Sequence, residues 1–218
     1  MQKYKNIILN REEAAQKLLD VIPMNKLKEE SWKIVAVSNA GLELGSFIRN
    51  KLNNSLEILF LEAIMAPNNP ECEVARVSET EEIVINEQLV ASFEIQYDYI
   101  YGEAHRKHEE NILSNIYQYR KGKPFTSVEN EVVMLVDDGC ESGSRFITAL
   151  KTVLNLNPKA VYIAVPVLPS DILEQLEPFV DDIYFLHNID DYVETSLYYE
   201  KLEEIDDAMI EKFLEESK

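Results

Sequence analysis

One stretch decides the fold of this chain: residues 132–150, which read VVMLVDDGCESGSRFITAL. Five apolar residues, 132–136, open it and turn chemistry follows them, so a buried strand is predicted. From Phe146 onward apolar residues recur every three or four positions, as they do on one face of a helix. A short polar loop joins the two elements. A strand, a polar loop and a helix start can hold a phosphate, because the first helical N–H groups are free and the helix dipole adds positive potential.

The loop after the strand begins with two carboxylates, Asp137 and Asp138. Carboxylates at a strand end can accept hydrogen bonds from a ribose diol, while the loop that follows takes the phosphate. The pattern therefore favours a sugar phosphate as ligand. An ordinary strand–turn–helix is the alternative, since Asp-Gly turns and polar helix caps are common. The remaining loop residues are Gly139, Cys140, Glu141, Ser142, Gly143, Ser144 and Arg145.

Composition and charge limit the class of protein. A chain of 218 residues with 46% apolar and 28% charged residues is expected to fold as one large globular domain with a sizeable core. The formal net charge of −19 argues against nucleic acid as a partner, because Lys and Arg are what bind phosphate backbones. The same charge opposes a polyanionic substrate, so a local positive site or a metal ion would have to offset it.

Targeting and redox signals are few. The sequence has no run of 18 apolar residues, which argues against a membrane partner, and residues 1–13 lack the pattern of a signal peptide. Two cysteines do not make a disulfide framework, and the sequence has no Cys/His cluster typical of zinc sites. We therefore expect a cytoplasmic protein.

Strand and helix patterns alternate along most of the chain, which predicts an α/β fold with a mostly parallel, twisted sheet and helices on both faces. A capping box at Asn10 is expected to start the first helix, and a second helix is expected to begin near Leu44. Residues 62–120 interrupt the alternation and are predicted to form a small hood on a single domain, 1–218. The expected strands of the main sheet are 34–38, 56–61, 132–136, 160–165 and 183–187. The hood is expected to contain a turn-rich loop at 66–71, a hairpin of 74–78 with 82–86, and a long helix over about 94–120.

The predicted hood helix is rich in tyrosine, at positions 97, 99, 101, 117 and 119. Stacked tyrosines can bind a base. Packing inside the subunit or between the subunits of a homodimer is the more common use of such residues.

The central stretch resembles the signature of type I phosphoribosyltransferases, which use phosphoribosyl diphosphate (PRPP). The resemblance implies that Asp137 and Asp138 hold the ribose hydroxyls and that residues 139–145 bind the 5′-phosphate. The whole chain is similar to the stand-alone "predicted phosphoribosyltransferase" group of bacteria and archaea, which implies the fold described above and Mg²⁺ on the diphosphate. The segments that carry this resemblance, in chain order, are 10–14, 69–71, 86–90, 119–124, the central loop, 164–167 and 199–200.

The sequence departs from that group where the diphosphate would bind. The group's Pro-Arg-Gly-Gly loop is replaced by residues 38–41, which are Ser38, Asn39, Ala40 and Gly41, and its Arg-Lys pair is replaced at Glu62 and Ala63. Losing one charge-assisted contact to a phosphate costs about 1.5–3 kcal/mol. We therefore expect a monophosphate to bind at least as tightly as PRPP, and arginines at 39 and 62 to improve PRPP affinity.

Two functions follow from the resemblance and its departures. The first is an enzyme that transfers ribose 5-phosphate from PRPP to an unknown nitrogenous acceptor and releases diphosphate, with Asp137, Asp138 and Glu141 as catalytic candidates. Glu141 could exchange a proton with the acceptor, and a solvated loop acid is the alternative. The second function is a catalytically impaired descendant that binds a ribose phosphate or a nucleotide as a regulatory module.

Overall fold

The computed structural model describes residues 8–23, 32–52 and 54–215. A five-stranded sheet crosses it in the order β2-β1-β6-β7-β8, and every neighbouring pair is parallel. The central strand is β6, which is the strand predicted at 132–136. The strands are β1 (Trp32–Ala36), β2 (Ser55–Ile58), β6 (Val132–Val136), β7 (Ala160–Pro169) and β8 (Asp182–Ile189).

Alternate residues of the sheet face opposite layers, as the pleat of a strand requires. On β6, Met134 and Val136 belong to one buried cluster, whereas Val133 and Leu135 belong to another. All five β6 residues are buried, which explains the unbroken apolar run in its sequence. The first cluster includes residues of α1 (Arg11–Val21), α2 (Asn39–Leu52) and α8 (Asp207–Glu215), and the second includes residues of α6 (Ser144–Leu154) and α7 (Ser170–Leu176).

The residues between β2 and β6 form a second, antiparallel sheet in the order β3-β4-β5, together with a helical arm. Arg76, on β4, and Glu82, in the turn before β5, hydrogen-bond to Ser144 and Asn155 at the two ends of α6. The small sheet therefore lies against α6, beside the central loop. Its strands are β3 (Leu61–Ala66), β4 (Asn69–Ser78) and β5 (Ile83–Ile85), and the arm contains α3 (Glu87–Ser92), α4 (Tyr97–Lys107), a π-helical turn (His108–Ile112) and α5 (Leu113–Arg120).

The α/β class and the parallel sheet confirm the sequence prediction, but several boundaries were wrong. The predicted strand 56–61 is divided, because β2 ends at Ile58 and Leu61 begins β3 in the other sheet. The predicted loop 66–71 is mostly strand, with a turn at 67–68 only. The predicted helix over 94–120 starts at Tyr97, because Glu94 has a left-handed φ of 51° and Gln96 is extended. At 94–96 local backbone conformation outweighed helical periodicity, whereas at 66–71 pairing between β3 and β4 outweighed the turn-forming residues.

Three further boundaries differ in length. The first parallel strand spans 32–36 rather than 34–38, and β7 runs four residues past the predicted 160–165. The second helix begins at Asn39, not near Leu44. No helix in the described part of the chain is long and apolar enough to cross a lipid bilayer.

Candidate functional site

A cavity of about 510 Å³ opens at the carboxyl ends of the parallel strands. This edge is where ligands bind in open α/β sheets. The end of β6, the following loop, the start of α2 and strand β4 all contribute to its walls. Of the predicted site residues, the cavity is lined by Ser38, Asn39, Ala40, Asp137, Asp138, Gly139, Cys140, Glu141, Ser142, Gly143, Ser144 and Arg145.

The Asp137 carboxylate is fully buried, and both of its oxygens are engaged. Its Oδ1 accepts hydrogen bonds from the Ser38 hydroxyl and from the Asp138 N–H, the latter at 3.0 Å. Its Oδ2 accepts from the Arg145 guanidinium at 2.7 Å. The Arg145 side chain is 41% exposed, against 1% for Asp137, so the cation stands at the cavity wall and the acid lies beneath it.

Asp138 is held by a different arginine, from the first helix. Arg11 Nε donates to Asp138 Oδ2 at 2.8 Å, while its Nη1 donates to Glu43 at 2.9 Å and to the Glu203 carbonyl at 2.8 Å. The Tyr199 hydroxyl donates to the Asp138 carbonyl at 2.7 Å. These contacts fix the two adjacent acids in place through α1, α2 and the segment after β8.

Burial and the nearby Asp137 carboxylate raise the pKa of Asp138 to about 7, although Arg11 acts in the opposite direction. Two adjacent carboxylates out of water cannot both ionise freely, and this is the physical cause. The cavity as a whole is acidic, with five carboxylates and three guanidinium groups on its walls. These are Glu73, Asp137, Asp138, Glu141 and Glu194, with Arg11, Arg76 and Arg145.

The loop from 139 to 143 needs glycine at both ends. A Cβ on Gly139 would lie 2.4 Å from Thr195 Cγ2, so the loop passes too close to the 3₁₀ turn at Thr195–Tyr198 for a side chain. Gly143 has a φ of 72°, and a Cβ there would meet Ile172 Cδ1 at 2.9 Å. Between them Cys140 points into the core, and burial together with Asp137 raises the pKa of its thiol to about 12. The Cys140 thiol is therefore a packing group and not a phosphate ligand.

The polar groups that remain at the predicted phosphate position are two hydroxyls and the start of a helix. The hydroxyls of Ser142 and Ser144 lie 3.1 Å apart, and α6 begins at Ser144. The first N–H groups of a helix have no partner within it and attract anions. Arg76, from β4, reaches the same place, with its Nε 3.3 Å from Ser144 Oγ while Glu73 holds its guanidinium at 3.0 and 2.6 Å.

Glu141 is exposed at the rim of the cavity. One of its oxygens, Oε1, accepts the Thr195 N–H at 3.1 Å. The carboxylate therefore points towards the 3₁₀ turn across the cavity rather than into the phosphate position at the start of α6.

The predicted diphosphate position is built differently from the prediction. Residues 39–41 are not a loop but the first turn of α2, and the Ser38 hydroxyl caps that turn by accepting the Gly41 N–H at 2.9 Å. A Cβ on Gly41 would stand 2.4 Å from the Val136 carbonyl oxygen, so this glycine serves helix–strand packing. Glu62 was wrongly assigned to this position: it lies on β3 outside the cavity lining, and its carboxylate contacts Lys107 at 3.3 Å and Asn111 at 3.0 Å.

The described residues do not offer a ready metal site. Across 8–23, 32–52 and 54–215, no group of three or more His, Cys, Asp and Glu side chains is placed to hold a metal ion. Asp137 and Asp138 are each occupied by an arginine. These side chains therefore do not fit a magnesium ion held by the protein alone.

Sequence reasoning left several cavity residues without a role, and three of them contact predicted site residues or Arg76. Arg11 was part of a resemblance motif, yet nothing in its helical context shows that it pairs with a residue 127 positions away. Glu73 and Thr195 reach the cavity from β4 and from a 3₁₀ turn, and neither is marked by local sequence. Of the tyrosines, 97, 99, 101, 117 and 119 all lie outside the lining of this cavity.

Comparison with known proteins supports the resemblance drawn from the sequence. No protein-family model matches the chain. A Mycobacterium tuberculosis protein named "Putative phosphoribosyl transferase" is 19% identical over 161 residues, which cover 74% of this chain. The matched region spans only about a third of that relative, 36% of its length.

Two solved structures resemble this chain to different degrees. The crystal structure of TT1426 from Thermus thermophilus superposes with a TM-score of 0.77 at 24% identity, over 96% of this chain and 98% of that one. A hypoxanthine phosphoribosyltransferase from Staphylococcus aureus gives a TM-score of only 0.46 at 13% identity, over 86% and 79% of the two chains. The fold of TT1426 is shared almost end to end, and the mycobacterial relative is consistent with the type I phosphoribosyltransferase superfamily that the sequence predicted.

Proposed function

We propose that the chain is a phosphoribosyltransferase that transfers the 5-phosphoribosyl group from PRPP to a nitrogenous acceptor. The observation that carries the proposal is the placement of Asp137 and Asp138, with the loop 139–143, in one cavity at the end of the central strand. Carboxylates held in place beside a helix start can accept hydrogen bonds from a ribose diol while the helix start attracts its 5′-phosphate. The proposal takes PRPP as donor and leaves the acceptor open.

In the proposed reaction the bond between ribose C1 and the diphosphate oxygen breaks, and a bond from C1 to the acceptor nitrogen forms. The bonding electrons leave with the diphosphate, and the acceptor gives up one proton. Asp137 and Asp138 would hold the ribose hydroxyls and stabilise the positive charge that develops on the ring. Glu141, at the rim, is the proposed acceptor of the proton.

The 5′-phosphate would lie at the start of α6, against the hydroxyls of Ser142 and Ser144 and beside Arg76. Because Arg145 covers Asp137 at 2.7 Å, a ribose hydroxyl must displace it. The exposed guanidinium can then turn towards the phosphate, where a bidentate pair is favourable. We propose that magnesium enters with the diphosphate as part of the substrate, since the two buried acids of the cavity are already paired with arginines.

A regulatory binding module is the second candidate, and one observation favours it. The start of α2, where the diphosphate would lie, carries Ser38, Asn39 and Ala40 but no cation. With five carboxylates against three guanidinium groups on the walls, a ligand with a single phosphate suits the cavity better than PRPP without metal.

Calorimetry with PRPP and with ribose 5-phosphate, each with and without magnesium, tests the two candidates. The enzyme requires preference for magnesium–PRPP and release of diphosphate when a base is added. Binding of ribose 5-phosphate at least as tight, without turnover on any common nucleobase, would establish the module. The Asp137→Asn and Asp138→Asn double variant should abolish binding of both ligands under either reading.

A charge added at the empty position sharpens the test. Asn39→Arg places a cation at the first residue of α2, on the cavity wall, and should improve PRPP affinity selectively. Asn50→Arg is the matched control, because it lies exposed near the other end of the same helix. Glu62→Arg should leave PRPP affinity unchanged, contrary to the sequence prediction, because that residue does not line the cavity.

A further inference from the structure

A second cavity, of about 410 Å³, lies at the opposite end of the parallel sheet. Lys33, the second residue of β1, and Ser55, the first residue of β2, line it, as does Glu131 just before β6. Because all three strands run parallel, these starts share the amino edge of the sheet. The remaining wall comes from the end of α5 and from α8.

The walls of this cavity carry an excess of positive charge in a chain whose net charge is −19. Four cations line it, Lys33, Arg120, Lys121 and Lys123, against two carboxylates, Glu57 and Glu131. One of these acids is shared: Glu57 contacts Lys33 Nζ at 3.3 Å through one oxygen and Arg120 Nη1 at 3.1 Å through the other. Arg120 also pairs with the buried Glu79 carboxylate, so Glu57 is the carboxylate that Lys33 contacts and it is shared with Arg120.

Lys33 is a buried ammonium group whose oxygen acceptors are all distant, and its Nζ also lies 5.5 Å from the centre of the Phe125 ring. Its side chain is only 6% exposed. Its acceptors are the Glu57 carboxylate and the carbonyls of Thr126 and Ser127, all at 3.3–3.4 Å. Charge-assisted hydrogen bonds are normally about 2.7–2.9 Å long. A buried cation without a close partner is costly, so an anion that entered the cavity would be stabilised.

Lys121 and Lys123 add charge that the fold itself does not use. Both are exposed, and neither forms an ion pair with any residue in the described part of the chain. Lys121 also occupies a left-handed position, with a φ of 55°, where glycine is normally preferred. The dipole at the end of α5 accounts for one or two basic residues near that helix end, but Lys33 comes from a strand.

We propose that this cavity binds a phosphate-bearing molecule with an apolar or aromatic body. The cations would take the phosphate. Leu56, Tyr119, Pro124 and Leu214 supply an apolar wall for the rest of the ligand. The site is separate from the cavity at the carboxyl edge, and the inference does not depend on the proposed transferase activity.

A site-resolved titration tests the proposal. Backbone amide NMR of the full chain with adenosine 5′-monophosphate should show saturable shifts for residues 119–126 and for Lys33, separable from any shifts at 139–145. Adenosine should not produce them, and inorganic phosphate should produce them more weakly. The absence of shifts at 119–126 up to about 10 mM ligand, or equal binding of adenosine, overturns the proposal.

Variants separate this site from general attraction of anions to lysine. The Lys121→Gly and Lys123→Ser double variant should weaken binding at 119–126 about tenfold, since each lost charge contact is worth a modest amount at an exposed position. The Lys151→Ser and Lys201→Ser double variant removes the same charge from exposed positions that line neither cavity. Its affinity should stay within about twofold. Equal weakening by both pairs would mean that only net charge matters and would reject the site.

Discussion

The buried charged groups at the two ends of the parallel sheet differ in how closely they are paired. At the carboxyl edge, each buried acid has a close arginine, with Arg11 at 2.8 Å from Asp138 and Arg145 at 2.7 Å from Asp137. At the amino edge, Lys33 has no acceptor closer than 3.3 Å among the described residues. The first end is acidic overall and its two buried aspartates are closely paired. The second is basic overall, and its strand lysine has only long contacts, although Arg120 there is closely paired with Glu79 and Glu57. Substitutions of charged residues are therefore expected to affect stability and binding differently at the two ends.

The largest expected difference is in stability. Arg11→Met leaves Asp138 and Glu43 without their cation, and breaking a buried pair in this way costs about 3–5 kcal/mol. Lys33→Met should cost less than about 1 kcal/mol, because its contacts are long and Glu57 keeps Arg120 and the Thr126 N–H. Urea unfolding of both variants at pH 8, where Asp138 is ionised, measures the two costs. Equal losses would show that the two ends are not differently paired.

The next effect concerns binding at the acidic end. Arg76→Met removes the β4 cation beside Ser144 and leaves Glu73 unpaired next to the proposed phosphate position. Affinity for PRPP and for ribose 5-phosphate should both fall about 10- to 100-fold, because both carry the 5′-phosphate. Arg106→Met is the control, since Arg106 is also paired with two hood acids but does not line the cavity. A loss confined to PRPP would place Arg76 at the diphosphate instead.

The pH dependence of stability distinguishes the adjacent acids from an ordinary ion pair. The pKa of Asp138 is raised to about 7 by burial and by Asp137. The folded chain holds the Asp138 proton more tightly than the unfolded chain does, so this group stabilises the fold fully at a pH below its unfolded pKa, about 4. This stabilisation is lost as the pH rises through the folded pKa of about 7. The free energy of unfolding should therefore fall by about 1.4 kcal/mol between pH 6 and pH 8 from this group alone.

Asp138→Asn provides the control for that measurement, because the amide does not titrate. Urea unfolding at pH 6 and at pH 8 should give a smaller decrease in the variant than in the unmodified chain. An unchanged decrease would assign the pH dependence to other groups, such as Glu79, whose pKa is also raised by burial although Arg120 opposes the shift.

The sequence could predict the carboxyl-edge site because its parts are local. A buried strand, two acids, a glycine loop and a helix start all lie within 132–150, and the central place of this strand follows from its unbroken apolar run. The arginines that pair the acids could not be read in the same way. Arg11 lies 127 residues from Asp138, and the acidic composition gives no sign of which cation faces which carboxylate.

Sequence reasoning failed where two sheets meet. Residues 56–61 look like one strand, yet the chain leaves the parallel sheet after Ile58 and enters the antiparallel one at Leu61. A run of apolar residues cannot show that change of partner, because both sheets bury it. Because the predicted strand ended at 61, Glu62 was wrongly assigned to the site at the carboxyl edge. The amino-edge cavity was missed for a related reason, since Lys33, Arg120 and Lys123 meet only in the folded chain.

The smallest expected change in stability is at Lys121 and Gly122, and it tests whether Lys121 serves the fold or a ligand at the amino edge. Lys121 and Gly122 both have left-handed backbone, with φ of 55° and 78°, at the end of α5. Lys121→Gly relieves the cost of a side chain there, and should raise the free energy of unfolding by about 0.5 kcal/mol. Gly122→Ala should lower it by about 1 kcal/mol, since a Cβ would stand 3.2 Å from Tyr117 Cε1 in an unfavourable conformation. Thermal and urea unfolding of the two variants give these values.

Because Lys121→Gly is expected to stabilise the fold while weakening anion binding, a loss of binding in it cannot be ascribed to unfolding. If the lysine proves more stable than glycine, its side chain has a structural role at the end of α5, and the case for a ligand at this cavity then rests on Lys33 and Lys123.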